Sequence, residues 1–246
     1  ELFGEIYEQI PELPFCNIWT AMQLSSRLPK GALFHMGVSN TRRCWNMFQL
    51  PESVESACNV GCCGIDGCVS TLVGASLVNP DRLCYVVVGD LTFFYDLNSL
   101  GNHHIGTNLR VMLVNNGRGT EFRLGIHHCN VFGDDADKYM AAAGHFGNKS
   151  PLLVKHYAED LGFHYLSATT KEEFMTALSN FTNPQLSDHS MILEVFTDSK
   201  DESEALYLMS HIQSDAKGMV RSKLKDAVRN VAGEKGINAI KKILKK

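Results

Sequence analysis

Val86-Val87-Val88-Gly89-Asp90-Leu91 runs off an apolar strand straight into a Gly-Asp step. Twenty-three residues beyond Leu91, a second apolar run ends in Asn115-Asn116-Gly117-Arg118-Gly119. In an open parallel sheet, ligands gather at the carboxyl ends of the strands, so both segments stand where a ligand would sit. Together they offer one carboxylate, two side-chain amides and backbone carbonyls freed by glycine. These are hard oxygen donors of the kind Mg²⁺ takes alongside a diphosphate and water. Read singly, Gly-Asp and Asn-Asn-Gly are ordinary turn sequences. Their pairing, each at the end of a strand, is what carries information.

Working outward, apolar runs of strand length recur at residues 32–36, 56–60, 83–88, 109–114, 163–166 and 191–196. Between them, residues 18–28, 38–48, 66–78, 95–103, 151–161 and 171–180 carry apolar positions at three- and four-residue spacing, the helical period. Thr170 ahead of Lys171-Glu172-Glu173 reads as an N-cap with acids in the first turn. Strands alternating with helices predict an α/β fold, a three-layer sandwich built on a mostly parallel sheet of about six strands. Residues 117–133 show no clear period, and a loop of that length in a compact domain is usually functional.

At 246 residues, 44% hydrophobic and 20% charged, the chain is long and apolar enough for one globular core and excludes a disordered or collagen-like protein. Its apolar runs are too short to cross a membrane. Eight cysteines without framework spacing or a signal peptide predict reduced thiols in a cytoplasmic protein. The net charge of −4 hides an asymmetry. Residues 217–246 hold ten basic and two acidic residues, a net +8, while the preceding 216 hold 13 basic and 25 acidic, a net −12. Such an acidic body repels phosphate backbones, which argues against nucleic acid as a partner.

The motif pair resembles the diphosphate and metal signature of thiamine diphosphate enzymes. Within that group, Gly89-Asp90-Leu91-Thr92-Phe93-Phe94-Tyr95-Asp96-Leu97-Asn98-Ser99-Leu100 is similar to the G-D-L-S-x-x-Y-D-L-N-x-L run of the menaquinone-pathway 2-succinyl-5-enolpyruvyl-6-hydroxy-3-cyclohexene-1-carboxylate synthases. Gly64-Ile65-Asp66-Gly67 resembles their S-G-I-D-G segment. The resemblance covers residues 31–196 or so and implies the C-terminal, diphosphate-binding domain of a three-domain enzyme. It implies Mg²⁺ held by Asp90, Asn116 and the carbonyl of Arg118. The cofactor would lie against Gly64, Ile65, Asp66, Gly89, Asp90, Leu91, Thr92, Asn116, Arg118, Gly119 and Phe122, with Ile65 propping it in a bent shape. Residues 37–43 keep the synthases' G-x-S-x-x-x-R spacing, and the resemblance makes Ser39 and Arg43 candidates for a substrate carboxylate.

The implied chemistry is decarboxylation of a 2-oxo acid and carboligation to an acceptor, a transferase reaction that in these synthases joins 2-oxoglutarate to isochorismate. A glutamate needed for activity would come from the N-terminal, pyrimidine-binding domain of a partner subunit, which makes a homodimer or homotetramer the expected assembly. Two departures stand out, the first being Leu91 at the third motif position, which is usually glycine. Val60 replaces the arginine of an N-R-G step, so the substrate side looks altered while the cofactor side looks intact. An enzyme of another pathway, such as surface-polysaccharide synthesis, or a non-catalytic assembly module, remains an alternative. The chain starts at Glu1 rather than Met, which suggests that the other domains lie upstream.

Residues 1–200 are thus expected to form the diphosphate domain and 201–246 a basic, amphipathic helical tail. The tail's apolar stripe of Val220, Leu224, Val228 and Val231 suits either packing on the acidic body or peripheral contact with an anionic membrane. Cys58, Cys62, Cys63 and Cys68 lack paired C-x2-C units and are expected to be small buried thiols. His103-His104 and His127-His128 are adjacent pairs whose side chains should diverge, the second pair lying with Phe122 in the long loop, where closure over a substrate is one role.

Overall fold

The computed structural model describes residues 7, 9–61, 63–124, 127–139 and 150–212. Six strands form one wholly parallel sheet: β1 (Leu33–Met36), β2 (Glu55–Cys58), β3 (Cys84–Gly89), β4 (Leu109–Asn115), β5 (His164–Ala168) and β6 (Met191–Phe196), in the spatial order β2-β1-β3-β4-β6-β5. Every strand lies within two residues of its sequence expectation. The runs are apolar at successive positions because the central strands are buried on both faces. In β3, Tyr85 and Val87 face one layer and Val86 and Val88 the other.

The first layer holds α1 (Asn17–Leu24), α2 (Asn40–Trp45), α6 (Lys171–Phe181) and α7 (Ser199–Ser210), and closes around Phe34, Trp45, Phe174 and Phe181. The second holds α3 (Cys68–Leu77), α4 (Asp90–Tyr95) and α5 (Leu153–Asp160), packed through Val69, Leu72, Phe93 and Val154. This is the expected three-layer α/β sandwich. At α6, Thr170 Oγ1 accepts from the N–H of Glu173 at 3.2 Å, and the Glu173 carboxylate accepts from Thr169 N at 2.7 Å, a reciprocal cap.

Two elements differ from expectation. The helix expected at 95–103 lies earlier: α4 starts at Asp90, and Leu97–Gly101 is a 3-10 turn. The reason is tertiary, because the Asp96 carboxylate ends α4 by accepting the N–H of Ser70 on α3 at 2.6 Å. Residues 199–210, divided at 200 between body and tail on the sequence, form one helix whose Glu202, Ala205 and Leu206 are buried in the body. Asp198 caps it, accepting from Lys200 N at 2.8 Å. The Val220–Val231 stripe lies outside the described residues. None of the described helices is long and apolar enough to cross a membrane.

The order of the strands positions the site. The connection from β1 runs through α2 in one layer to β2, and the return from β2 runs through α3 in the other layer to β3. The β1/β3 junction is therefore a topological switch point, and the crevice beyond its carboxyl ends is open to a ligand.

Candidate functional site

A cleft opens at that switch point. Segments after β1, β3 and β4 converge on it, with Asn17 of α1 and Ile65 ahead of α3 adding to its wall. Ser39, Ile65, Gly89, Asp90, Leu91, Thr92, Asn116, Gly119 and Phe122 all line it, so nine of the sequence candidates are brought together. Arg43 stands at the rim, ion-paired with the lining residue Glu121. Arg118 takes part through its backbone, whereas Gly64 and Asp66 stand behind Ile65 outside the lining.

The carboxylate of Asp90, only 2% exposed, is held by backbone donors. Oδ1 accepts from Leu91 N at 2.8 Å and Oδ2 from Arg118 N at 3.1 Å. The same Arg118 N–H also reaches Asn116 Oδ1 at 3.0 Å, so one amide brings both side-chain oxygens to one turn. Burial pushes the Asp90 carboxyl above its ordinary range, opposed by hydrogen bonds from the N–H groups of Leu91, Arg118, Gly117 and Gly119. A buried carboxylate beside an amide oxygen is a donor set that a divalent cation would stabilise. Thr120 Oγ1 is buried in the wall with no hydrogen-bond partner among the described residues, a further polar atom available to a ligand. On chemistry and burial these residues fit Mg²⁺ and a diphosphate.

A second layer holds this turn in place. Asn115 Nδ2 donates to Glu194 Oε1 at 2.7 Å, while Asn115 Oδ1 accepts from Gly117 N at 3.0 Å. Tyr165 OH donates to the other Glu194 oxygen at 2.7 Å. Glu194 sits fully buried in β6, its carboxyl raised by burial and partly restored by those two bonds. Beyond it, Gly119 has φ +61, and a Cβ there would lie 2.4 Å from Leu91 Cδ1. Leu91, at a position where the wider signature has glycine, therefore packs on a glycine that must stay one.

Behind the lining lie residues that sequence reasoning missed. Glu202 of α7 is buried, its Oε1 accepting from Thr197 Oγ1 at 2.7 Å and from Asn17 N at 3.1 Å. Burial pushes its carboxyl up to about 7. Asn17 in turn accepts the indole N–H of Trp45 at 2.9 Å and faces the cleft. For Glu194 the available signal was a lone acid inside an apolar strand, and for Glu202 an acid in the first turn after a capping Asp198. Glu121, which takes Arg43, had no signal, because the two lie 78 residues apart.

The side of the cleft that follows β1 and β2 is less regular. Ser39 has φ 61 and ψ −126, a conformation that strains any residue with a side chain, and such strain gathers at ligand sites. Val60 is 44% exposed on the segment after β2. Cys63 is exposed, contrary to expectation, because it occupies a turn at φ 52, whereas Cys68 is buried and Cys58 half-buried. Cys62 lies outside the described residues. Among those described, no cluster of three His, Cys, Asp or Glu residues is placed to hold a metal. His103 and His104 do not diverge; their rings lie 3.9 Å apart in a turn. Phe122 meets His127 edge-on at 5.1 Å at the cleft rim, while His128 is exposed.

No protein-family model matches the chain. Among curated proteins it is similar to the 2-succinyl-5-enolpyruvyl-6-hydroxy-3-cyclohexene-1-carboxylate synthase of Bacteroides fragilis, 34% identical over 196 residues, covering 80% of this chain and 34% of that protein. The synthase of the same name from Phocaeicola vulgatus is 34% identical over 200 residues, covering 80% of this chain and 34% of that protein. That from Christiangramia forsetii is 33% identical over 199 residues, covering 81% and 33%. The chain resembles these synthases and spans about a third of their length.

Proposed function

We propose that this chain is the diphosphate-binding part of a thiamine diphosphate-dependent enzyme that decarboxylates a 2-oxo acid and joins the remaining fragment to an acceptor. The observation that carries the reading is the turn in which one backbone amide, that of Arg118, holds the oxygens of both Asp90 and Asn116 at the bottom of the switch-point cleft. The similarity to the synthases supports it and suggests the menaquinone pathway.

Bound thiamine diphosphate would supply the carbanion chemistry and leave binding, bending and desolvation to the protein. Asp90, Asn116 and the Arg118 carbonyl would hold Mg²⁺ against the diphosphate. Gly89 and Gly119 keep side chains out of its path, and Thr92 in the first turn of α4 offers a hydroxyl. Ile65 would prop the cofactor in its bent shape, and Phe122 at the rim limits the entry of water. Ser39 and Arg43 lie on the substrate side.

The activating glutamate is assigned to the pyrimidine-binding domain of a partner subunit, in a cytoplasmic homodimer or homotetramer. On this reading the 246-residue chain binds cofactor weakly and turns nothing over. Carbon dioxide released from a 2-oxo acid by this chain alone would refute that. The resembled synthases would make 2-oxoglutarate the donor and isochorismate the acceptor. Exposed Val60 favours a second reading, a related enzyme of another pathway with the same cofactor and different substrates. Calorimetric titration with thiamine diphosphate and Mg²⁺ tests the shared part. Asp90→Ala and Asn116→Ala should each weaken binding, and variants that bind as well as the parent would overturn the site.

A further inference from the structure

Glu194 is an acid in the middle of an apolar strand, fully buried, with Leu113 of β4 and Ser167 of β5 as its neighbours in the register. Among the described residues no cation faces it; its two partners are neutral donors, the Asn115 amide and the Tyr165 hydroxyl, each at 2.7 Å. An apolar side chain would pack there at lower cost, so stability does not account for the carboxylate. Its chemistry does. A carboxylate accepts hydrogen bonds and donates none, which fixes the end of the Asn115 amide that points toward it. The NH2 group takes that place, and Oδ1 is left facing the N–H of Gly117 at 3.0 Å. Gly117, at φ 72, is where the chain turns, and the amide after it, that of Arg118, holds the Asp90 and Asn116 oxygens. A reversed Asn115 amide would set two donors against each other at Gly117 and open the turn at its first bond.

We propose that Glu194, with Tyr165 behind it, is a positioning residue for the cation site: it orients the Asn115 amide and, through it, the turn that presents Asn116 Oδ1 and the Arg118 carbonyl beside Asp90. This rests on the reading of that turn as a metal and diphosphate site and deepens it. The hydrogen bonds pass from β5 to β6 to β4 and on to the residue after β3, one strand at a time in the order of the sheet. A hydroxyl on the edge strand is thereby linked to a carboxylate three strands away. Partners behind metal ligands set the orientation of those ligands, and losing one typically costs about 10- to 100-fold in metal affinity.

The test uses backbone NMR of the full chain. Hydrogen exchange at the Gly117 amide, without ligand, reports the Asn115 bond, and titration with thiamine diphosphate and Mg²⁺ reports the site. Asn115→Ala removes the bond, and Glu194→Gln no longer forbids the reversed amide; each should speed exchange at Gly117 and weaken binding about tenfold. The double variant should bind no worse than Asn115→Ala alone, because Glu194 acts through Asn115, whereas a merely structural role would make the losses add. Tyr165→Phe, half-buried on the edge strand, should weaken binding about threefold, the lower end of one hydrogen bond, and have no effect in the Asn115→Ala background. Additive losses, or Glu194→Gln and Tyr165→Phe chains that exchange and bind as the parent does, overturn the proposal. If Glu194→Gln does not fold, Tyr165→Phe alone and combined with Asn115→Ala carries the same decision. If thiamine diphosphate and Mg²⁺ leave the parent's signals unmoved, the cofactor reading falls, and the Gly117 exchange rates still decide whether Glu194 and Tyr165 position the turn. If the parent binds and the variants bind equally well, the positioning alone falls.

Discussion

The ends of β3 and β4 and the ends of β1 and β2 face the same cleft, yet they are built differently. At β3 and β4, Asp90, Asn115 and Asn116 are buried and tied to backbone N–H groups of the two strand-end turns, with Glu194 behind them. At β1 and β2, Ser39 and Cys63 sit at positive φ, Val60 is exposed, and the rim cation is held by a residue from another segment. The first region is fixed by a network of buried hydrogen bonds, as a ligand of constant shape such as the proposed cofactor would require. The second is strained and solvent-facing, so a few substitutions can change what it accepts without disturbing the first.

The largest expected effect separates the two halves directly. Asp90→Ala should weaken thiamine diphosphate and Mg²⁺ binding by about 100-fold or more, since even outer partners of metal ligands are worth up to about that much. Arg43→Gln should change it by no more than about twofold, because its side chain is screened and remote from the diphosphate. Equal losses in calorimetry would abolish the distinction.

Next comes the carboxyl buried behind Asn17. The Glu202 carboxyl is raised by burial from its ordinary 4.5 to about 7. Its folded pKa exceeds its unfolded one, so the folded state is favoured most below about 4.5 and loses stability as pH rises through about 7, by about 3 kcal/mol in all. Asp90 and Glu194, also raised by burial, add to the slope in the same direction. Glu202→Gln should flatten the profile and be more stable than the parent at pH 8, as read by urea unfolding at about pH 5 and 8. An unchanged slope would mean that Glu202 is ionised in the folded protein.

Backbone strain gives the two smaller effects, opposite in sign. Gly119→Ala places a Cβ at φ +61 against Leu91 and should cost about 2 kcal/mol in thermal unfolding, partly recovered by adding Leu91→Ala. Ser39→Gly relieves the strain at φ 61 and should gain about 1 kcal/mol. A destabilised Ser39→Gly chain would show that the serine hydroxyl contributes more than its backbone costs.

What could be read in advance follows from range. Strand positions, the Thr170 cap and the Asn115-Asn116-Gly117 turn depend on a few adjacent residues, and all three were legible. The shift of α4 was not, because Asp96 closes it through Ser70, 26 residues earlier in the chain. Helix α7 carried a legible cap at Asp198, but the charge run Lys200-Asp201-Glu202 resembled a solvated segment until burial of Glu202 made it part of the body.

By itself, then, the sequence determined an α/β chain with oxygen donors at two strand ends, since apolar period and turn chemistry are local properties. Tertiary structure alone decided that β1 and β3 are neighbours, that their junction is the switch point, and that Arg43 meets Glu121 there. Strand order and side-chain pairing arise from packing two helical layers on one sheet, and no local pattern encodes which distant residues that packing brings together.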